Sequence, residues 1–157
     1  MPETLRRKKI LVIPHDLNEP GGGTSVGAWV LMALKGDYEV SVLTWAPPDL
    51  SITNRNFGTN LARDEFRWHT IDGRLRKLLA MIPSRLSLLQ NQIIFRKAKQ
   101  LSRDDGVDLV IGAANEIDVG APAIQYVHFP WAYWPRPDCD LRWYHLAPLV
   151  RLYREST

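Results

Sequence analysis

Three stretches decide the fold: Lys9-Ile10-Leu11-Val12-Ile13, then Glu19-Pro20-Gly21-Gly22-Gly23-Thr24-Ser25, then Tyr38-Glu39-Val40-Ser41-Val42-Leu43-Thr44. The first is a short apolar run behind a basic flank, and it reads as a strand buried on both faces of a parallel sheet. The second closes a segment from His15 that carries turn-forming residues throughout. Thr24 or Ser25 can cap a helix running to about Lys35, and Gly36-Asp37 stops it. The third stretch is rich in β-branched residues with partial alternation, which predicts a second strand. Strand, glycine loop, helix and strand within this length make a βαβ unit with a right-handed crossover.

Outward from this unit the pattern repeats. Trp45 to Phe57, rich in Pro and Asn, reads as a loop. Phe66 to Ile71 is a candidate third strand. Arg74 to Ile82 predicts a short basic helix cut by Pro83, and Ser84 to Arg103 a longer one with Leu86, Leu89, Ile93, Ile94 and Leu101 near one stripe. Asp108 to Ile111 and Ile124 to Val127 complete the strands, and both read as buried inside the sheet. The segment from Leu141 to Tyr153 is apolar and could be helical, with Pro148 near its centre. Strands alternating with helices predict an α/β fold, a Rossmann-like three-layer arrangement about a mostly parallel sheet.

Composition sets the outer bounds. The 157 residues suit a single domain. With 45% hydrophobic and 24% charged residues, the chain has a globular composition and is neither disordered nor collagen-like. No apolar stretch approaches the roughly 20 residues that cross a bilayer. The apolar run Ile10 to Ile13 is too short for the core of a secretory signal. The single cysteine, Cys139, excludes an internal disulfide and suits a reducing, cytoplasmic location. A net charge of +3 fits an anionic ligand or an acidic membrane surface, and it is too small to suggest nucleic acid as a partner. Trp131, Trp134 and Trp143 cluster near Pro and Arg, as in a carbohydrate or interface platform or simply a core corner.

Three glycines before a helix have a direct chemical meaning. They let backbone approach a ligand closely, and the free N–H groups of the helix start favour phosphate. A plain turn is the alternative. Two familiar phosphate motifs do not fit. The dinucleotide fingerprint needs G-x-G-x-x-G tight against the first strand and an acid near the end of the second. Here the glycines are out of register, and the second strand ends Thr44-Trp45. The nucleotide-triphosphate loop needs Gly-Lys-Ser/Thr, whereas Gly27 precedes Ala28-Trp29. No His/Cys/Asp grouping has metal-ligand spacing.

A different pattern fits both ends of the chain. The strand Lys9 to Ile13, the loop Glu19-Pro20-Gly21-Gly22-Gly23 and a strand ending Val42-Leu43-Thr44 resemble the N-terminal half of a GT-B glycosyltransferase of family 4. The run Ile124-Gln125-Tyr126-Val127-His128-Phe129-Pro130-Trp131 is similar to the strand-then-His segment of that family. It is closest to the mannosyltransferases of the lipid-linked oligosaccharide pathway and their bacterial relatives. The continuation Arg136 to His145 looks like the bacterial branch.

The resemblance implies the acceptor-side half of a retaining enzyme. Its donor substrate is a nucleotide sugar, its acceptor a saccharide or a lipid-linked one, and it needs no further cofactor and no metal. Gly21, Gly22, Gly23 and Thr24 would face the donor phosphates, and His15, Asn18 and Glu19 the acceptor. His128 is the catalytic candidate, able to hydrogen-bond a sugar hydroxyl or phosphate; a structural histidine bonded to a carbonyl is the alternative. Such enzymes carry a C-terminal donor domain with a paired-glutamate E-x7-E motif, and nothing of that kind follows in this chain. The expectation is therefore a fragment, inactive alone and prone to self-association through Leu141 to Tyr153. Arg74 to Leu79 alternates cationic and apolar residues, as a helix on the inner membrane surface does, or as a surface helix packed by its leucines does. A second reading is a non-catalytic sugar- or nucleotide-binding module, or a subunit pairing with a separate C-terminal half. A receiver-type phosphate-binding domain fits poorly, because Lys is absent after Lys99.

Overall fold

A computed structural model describes residues 6–14, 16–81, 87–113 and 119–127. Its five strands are β1 (Lys9–Pro14), β2 (Glu39–Thr44), β3 (Arg67–Thr70), β4 (Leu109–Ala113) and β5 (Ala123–Gln125). The α-helices are α1 (Gly22–Leu34), α2 (Leu50–Phe57), α3 (Gly73–Ala80) and α4 (Ser87–Asp104). All strand pairings are parallel, in the order β3-β2-β1-β4-β5. This is a Rossmann-like α/β fold.

The period-two geometry of β1 builds both halves of the core. Ile10 and Val12 point to one face, where they meet Ala28 and Leu31 of α1 together with Val40 and Val42 of β2. Leu11 and Ile13 point to the other, where they meet Phe95, Ala98 and Leu101 of α4. Leu11 and Val12 are fully buried, so β1 has no solvent face. Its start is tied to the turn before β4. The Lys9 amide donates to Asp108 Oδ2 at 2.8 Å, Lys9 Nζ to the Asp105 carbonyl at 3.1 Å, and the Asp108 amide to the Lys9 carbonyl at 2.9 Å.

Two expectations are corrected here. The Pro- and Asn-rich stretch after β2 is not all loop, since α2 runs through its second half. Asp49 starts that helix by accepting from the amides of Ser51 and Ile52, and Gly58, with φ of +64°, ends it in a conformation few other residues adopt readily. The Ser51 hydroxyl and the Ile52 amide together hold the Asp49 carboxyl below its ordinary value. The strand expected inside the sheet at Ile124 to Val127 is instead one of the two edge strands of the described sheet. All three β5 residues are exposed, and Ile124 is 57% exposed. Apolar residues made the segment resemble a central strand, but position is set by pairing, and β5 pairs only with β4 among the described residues. No helix of the described residues is long and apolar enough to cross a membrane.

At the other side of the sheet, His69 of β3 faces Asp105 at the end of α4, with Nε2 and Oδ2 4.0 Å apart. That gap is too long for a hydrogen bond, and both atoms are buried with no hydrogen-bond partner among the described residues, although Asp105 Oδ2 also lies 3.6 Å from Arg67 Nη1. Burial holds the imidazole below its ordinary pKa, as do the Arg67 and Lys97 charges; Asp105 pulls the other way. A histidine whose folded pKa is depressed favours folding fully above its unfolded value and loses that share as pH falls through the folded one. The wild type should therefore lose stability relative to His69→Gln on acidification from about pH 7.5 to about pH 5. Urea unfolding of both proteins across this range checks it, and parallel pH profiles would contradict the buried neutral histidine.

Candidate functional site

Because every strand is parallel, Pro14, Thr44, Thr70, Ala113 and Gln125 all end at one edge of the sheet. The chain moves from β1 outward through β2 to β3, then crosses back to place β4 against the other side of β1. The strand order thus reverses between β1 and β4, where Pro14 is registered with Ala113. In open α/β sheets the crevice at such a reversal is where ligands bind. The loop that carries the glycines joins the end of β1 to the start of α1 at this same edge.

The loop is rigidly braced. The Asp16 carboxylate accepts from the Asn18 amide at 3.0 Å and from Asn18 Nδ2 at 3.1 Å, which closes a side-chain turn. Asn18 then reaches the loop after β2. Its Nδ2 donates to the Pro47 carbonyl at 3.3 Å, and its Oδ1 accepts from the Asp49 amide at 2.7 Å. Leu17 is buried beneath, and its carbonyl accepts from the wholly buried Thr53 hydroxyl of α2 at 2.9 Å. The helix that sequence reading missed is therefore what anchors the loop. The signal was present in Pro47-Pro48-Asp49, a helix-start pattern followed at a suitable distance by Gly58.

The start of α1 has a different character. Its N-cap is Gly21, in extended backbone, and no side chain of the described residues caps the helix. The first intrahelical bond is from the Ser25 amide to the Gly21 carbonyl at 3.0 Å. This leaves the amides of Gly22, Gly23 and Thr24 as the unfilled donors of the first turn. Thr24 does not cap the helix as its sequence position suggested. Its side chain is buried, and the hydroxyl donates to the Asp16 carbonyl at 3.1 Å. It thereby fastens the helix start to the loop, and only the Thr24 amide remains for a ligand. Gly21 and Gly22 are exposed, whereas Gly23 is buried.

The other expected site residues divide. Asn18 lies at this edge, but both ends of its amide are committed to the loop. Glu19 is exposed, and its amide donates to the Asp16 carbonyl at 3.3 Å. His15 and His128 lie outside the described residues, as do Trp131, Trp134, Trp143 and the segment Leu141 to Tyr153. The described chain leaves β5 at the glycine-loop edge, with β4 standing between β5 and β1. Among the described residues no group of three or more His, Cys, Asp and Glu could hold a metal ion.

Thr53→Val keeps shape and volume but leaves the buried Leu17 carbonyl without its partner. We expect a loss of about 1–3 kcal/mol, the cost of an unsatisfied buried acceptor, read from chemical denaturation. A loss below about 0.5 kcal/mol, the level of an ordinary surface change, would show that the loop does not depend on α2.

No protein-family model matches the sequence, and a search of curated proteins finds no similar one. Among solved structures, the chain is similar to the UDP-glycosyltransferase UGT2 of Phytolacca americana, determined in complex with UDP-2-fluoro-glucose and pterostilbene. The two are 17% identical with a TM-score of 0.40, over 80% of this chain and 31% of that one, so the likeness spans less than a third of the longer protein.

Proposed function

We propose that this chain is the acceptor-side half of a retaining glycosyltransferase, taking a sugar from a nucleotide sugar to a saccharide or lipid-linked acceptor. The observation that carries the reading is the uncapped start of α1, with the Gly22, Gly23 and Thr24 amides unfilled beside the crevice at the strand-order reversal. Transfer from a nucleotide sugar leaves a diphosphate, so negative charge grows on phosphate oxygens as the glycosidic bond breaks. Fixed N–H donors stabilise such charge without reorganising at the moment of reaction. The absence of a Cβ at Gly21 and Gly22 leaves room for phosphate against the backbone.

In this reading His15 and Glu19 meet the acceptor, and Asn18 helps to shape the pocket that receives it. His128 hydrogen-bonds a sugar hydroxyl or a donor phosphate. A C-terminal domain carrying E-x7-E holds the rest of the nucleotide sugar, and the 157-residue chain alone does not turn over. A peripheral place on the inner membrane face suits a lipid-linked acceptor.

The purified chain should release no nucleoside diphosphate from nucleotide sugars, and robust transfer by it would contradict the need for a donor domain. In the assembled enzyme Gly22→Val blocks phosphate approach, and His128→Ala removes a polar contact. Each should lower transfer by about a hundredfold, the scale for losing one transition-state contact, with the thermal midpoint nearly unchanged. Activity equal to wild type in Gly22→Val would reduce the glycine loop to a turn.

A further inference from the structure

A second cleft opens at the same sheet edge, two strands away from β1, beyond Thr70 at the end of β3. It has a volume of about 660 Å³ and lies between the start of α3 and the middle of α4, within the ordinary range of small-molecule sites. We propose that it is a binding site for a phosphate-bearing anion, separate from the glycine loop. The proposal does not rest on the glycosyltransferase reading.

Arg96, Lys97 and Gln100 of α4 line one wall, on a single helix face by their spacing, and Arg76 of α3 lines the other. None of the three cations forms an ion pair with a described carboxylate. The remaining charge at the cleft is Asp72, whose carboxylate is already occupied by the amides of Arg74 and Leu75 at 2.9 and 3.1 Å. Three cations thus face one engaged carboxylate.

The cations are also partly fixed. Arg76 Nε donates to the Ile71 carbonyl at 3.1 Å, which folds the guanidinium back over the turn. Lys97 Nζ donates to Gln100 Oε1 at 3.2 Å, which orients the Gln100 amide and leaves two ammonium protons free. A held arginine fork with adjacent ammonium and amide donors matches the oxygens of a phosphate or diphosphate. Unpaired cations gathered in one cleft repel each other, and an anion relieves that repulsion.

The phosphate can belong to a soluble molecule or to a lipid headgroup. Leu78 and Met81, 62% and 80% exposed at the end of α3, would suit the second source. The full chain is titrated calorimetrically with sodium pyrophosphate, and its co-sedimentation is measured with phosphatidylcholine vesicles with and without phosphatidic acid. Binding of either probe is expected. Arg96→Gln and Lys97→Gln, both surface changes, should each weaken it about tenfold, the scale of one charge-assisted hydrogen bond. Pyrophosphate binding assigns a soluble source, and binding of acidic vesicles alone assigns a headgroup. Failure of both probes to bind overturns the proposal. So does binding unchanged in both variants, or binding that Gly22→Val abolishes while the two cation variants leave it intact.

Discussion

The burial of β1 on both faces is the constraint on which the rest of the structure depends. Residues of a single six-residue strand supply two hydrophobic layers, Ile10 and Val12 against α1, Leu11 and Ile13 against α4. It is also paired on both sides, to β2 and to β4. A strand so enclosed leaves little freedom in register, because a one-residue slip would exchange the two layers. The chain that leaves it at Pro14 is therefore delivered to one place at the sheet edge.

What is built at that place follows from this delivery. The β1–α1 loop must turn from the middle of the sheet to its face, and it does so over a frame made by Asp16, Asn18, Thr24 and Thr53. These side chains satisfy the loop's own polar groups and fasten it to the β2–α2 region. The frame stops short of the first amides of α1, which no side chain of the described residues fills. Polar side chains that could have capped the helix are used elsewhere: the Thr24 hydroxyl on the Asp16 carbonyl, the Asn18 amide on Pro47 and Asp49. A rigid frame around such a donor set supports the anion site proposed above.

Much of this was legible in the sequence, because its signals are local. The apolar run at β1, the glycines after it and the β-branched run at β2 each carry their own period or turn chemistry. The central sheet and its helices followed. What was not legible depended on distant partners. α2 looked like loop because Ser51, Thr53, Asn54 and Asn56 favour helix weakly, yet Thr53 gains a buried bond to Leu17, 36 residues away. Ile124 looked central because its side chain is apolar, while strand position is decided by pairing across the sheet. The basic cleft escaped notice because its cations come from α3 and α4, whose packing no local pattern states.

The proposed function requires the first amides of α1 to be a diphosphate site. The most direct measurement is an amide NMR titration of the chain with a nucleoside diphosphate, with backbone resonances assigned. Gly22, Gly23 and Thr24 should show saturable downfield shifts as their N–H groups take up phosphate oxygens. If those three amides stay in place at saturating ligand, while resonances elsewhere move or none do, the start of α1 is not the phosphate site and the functional reading fails with it.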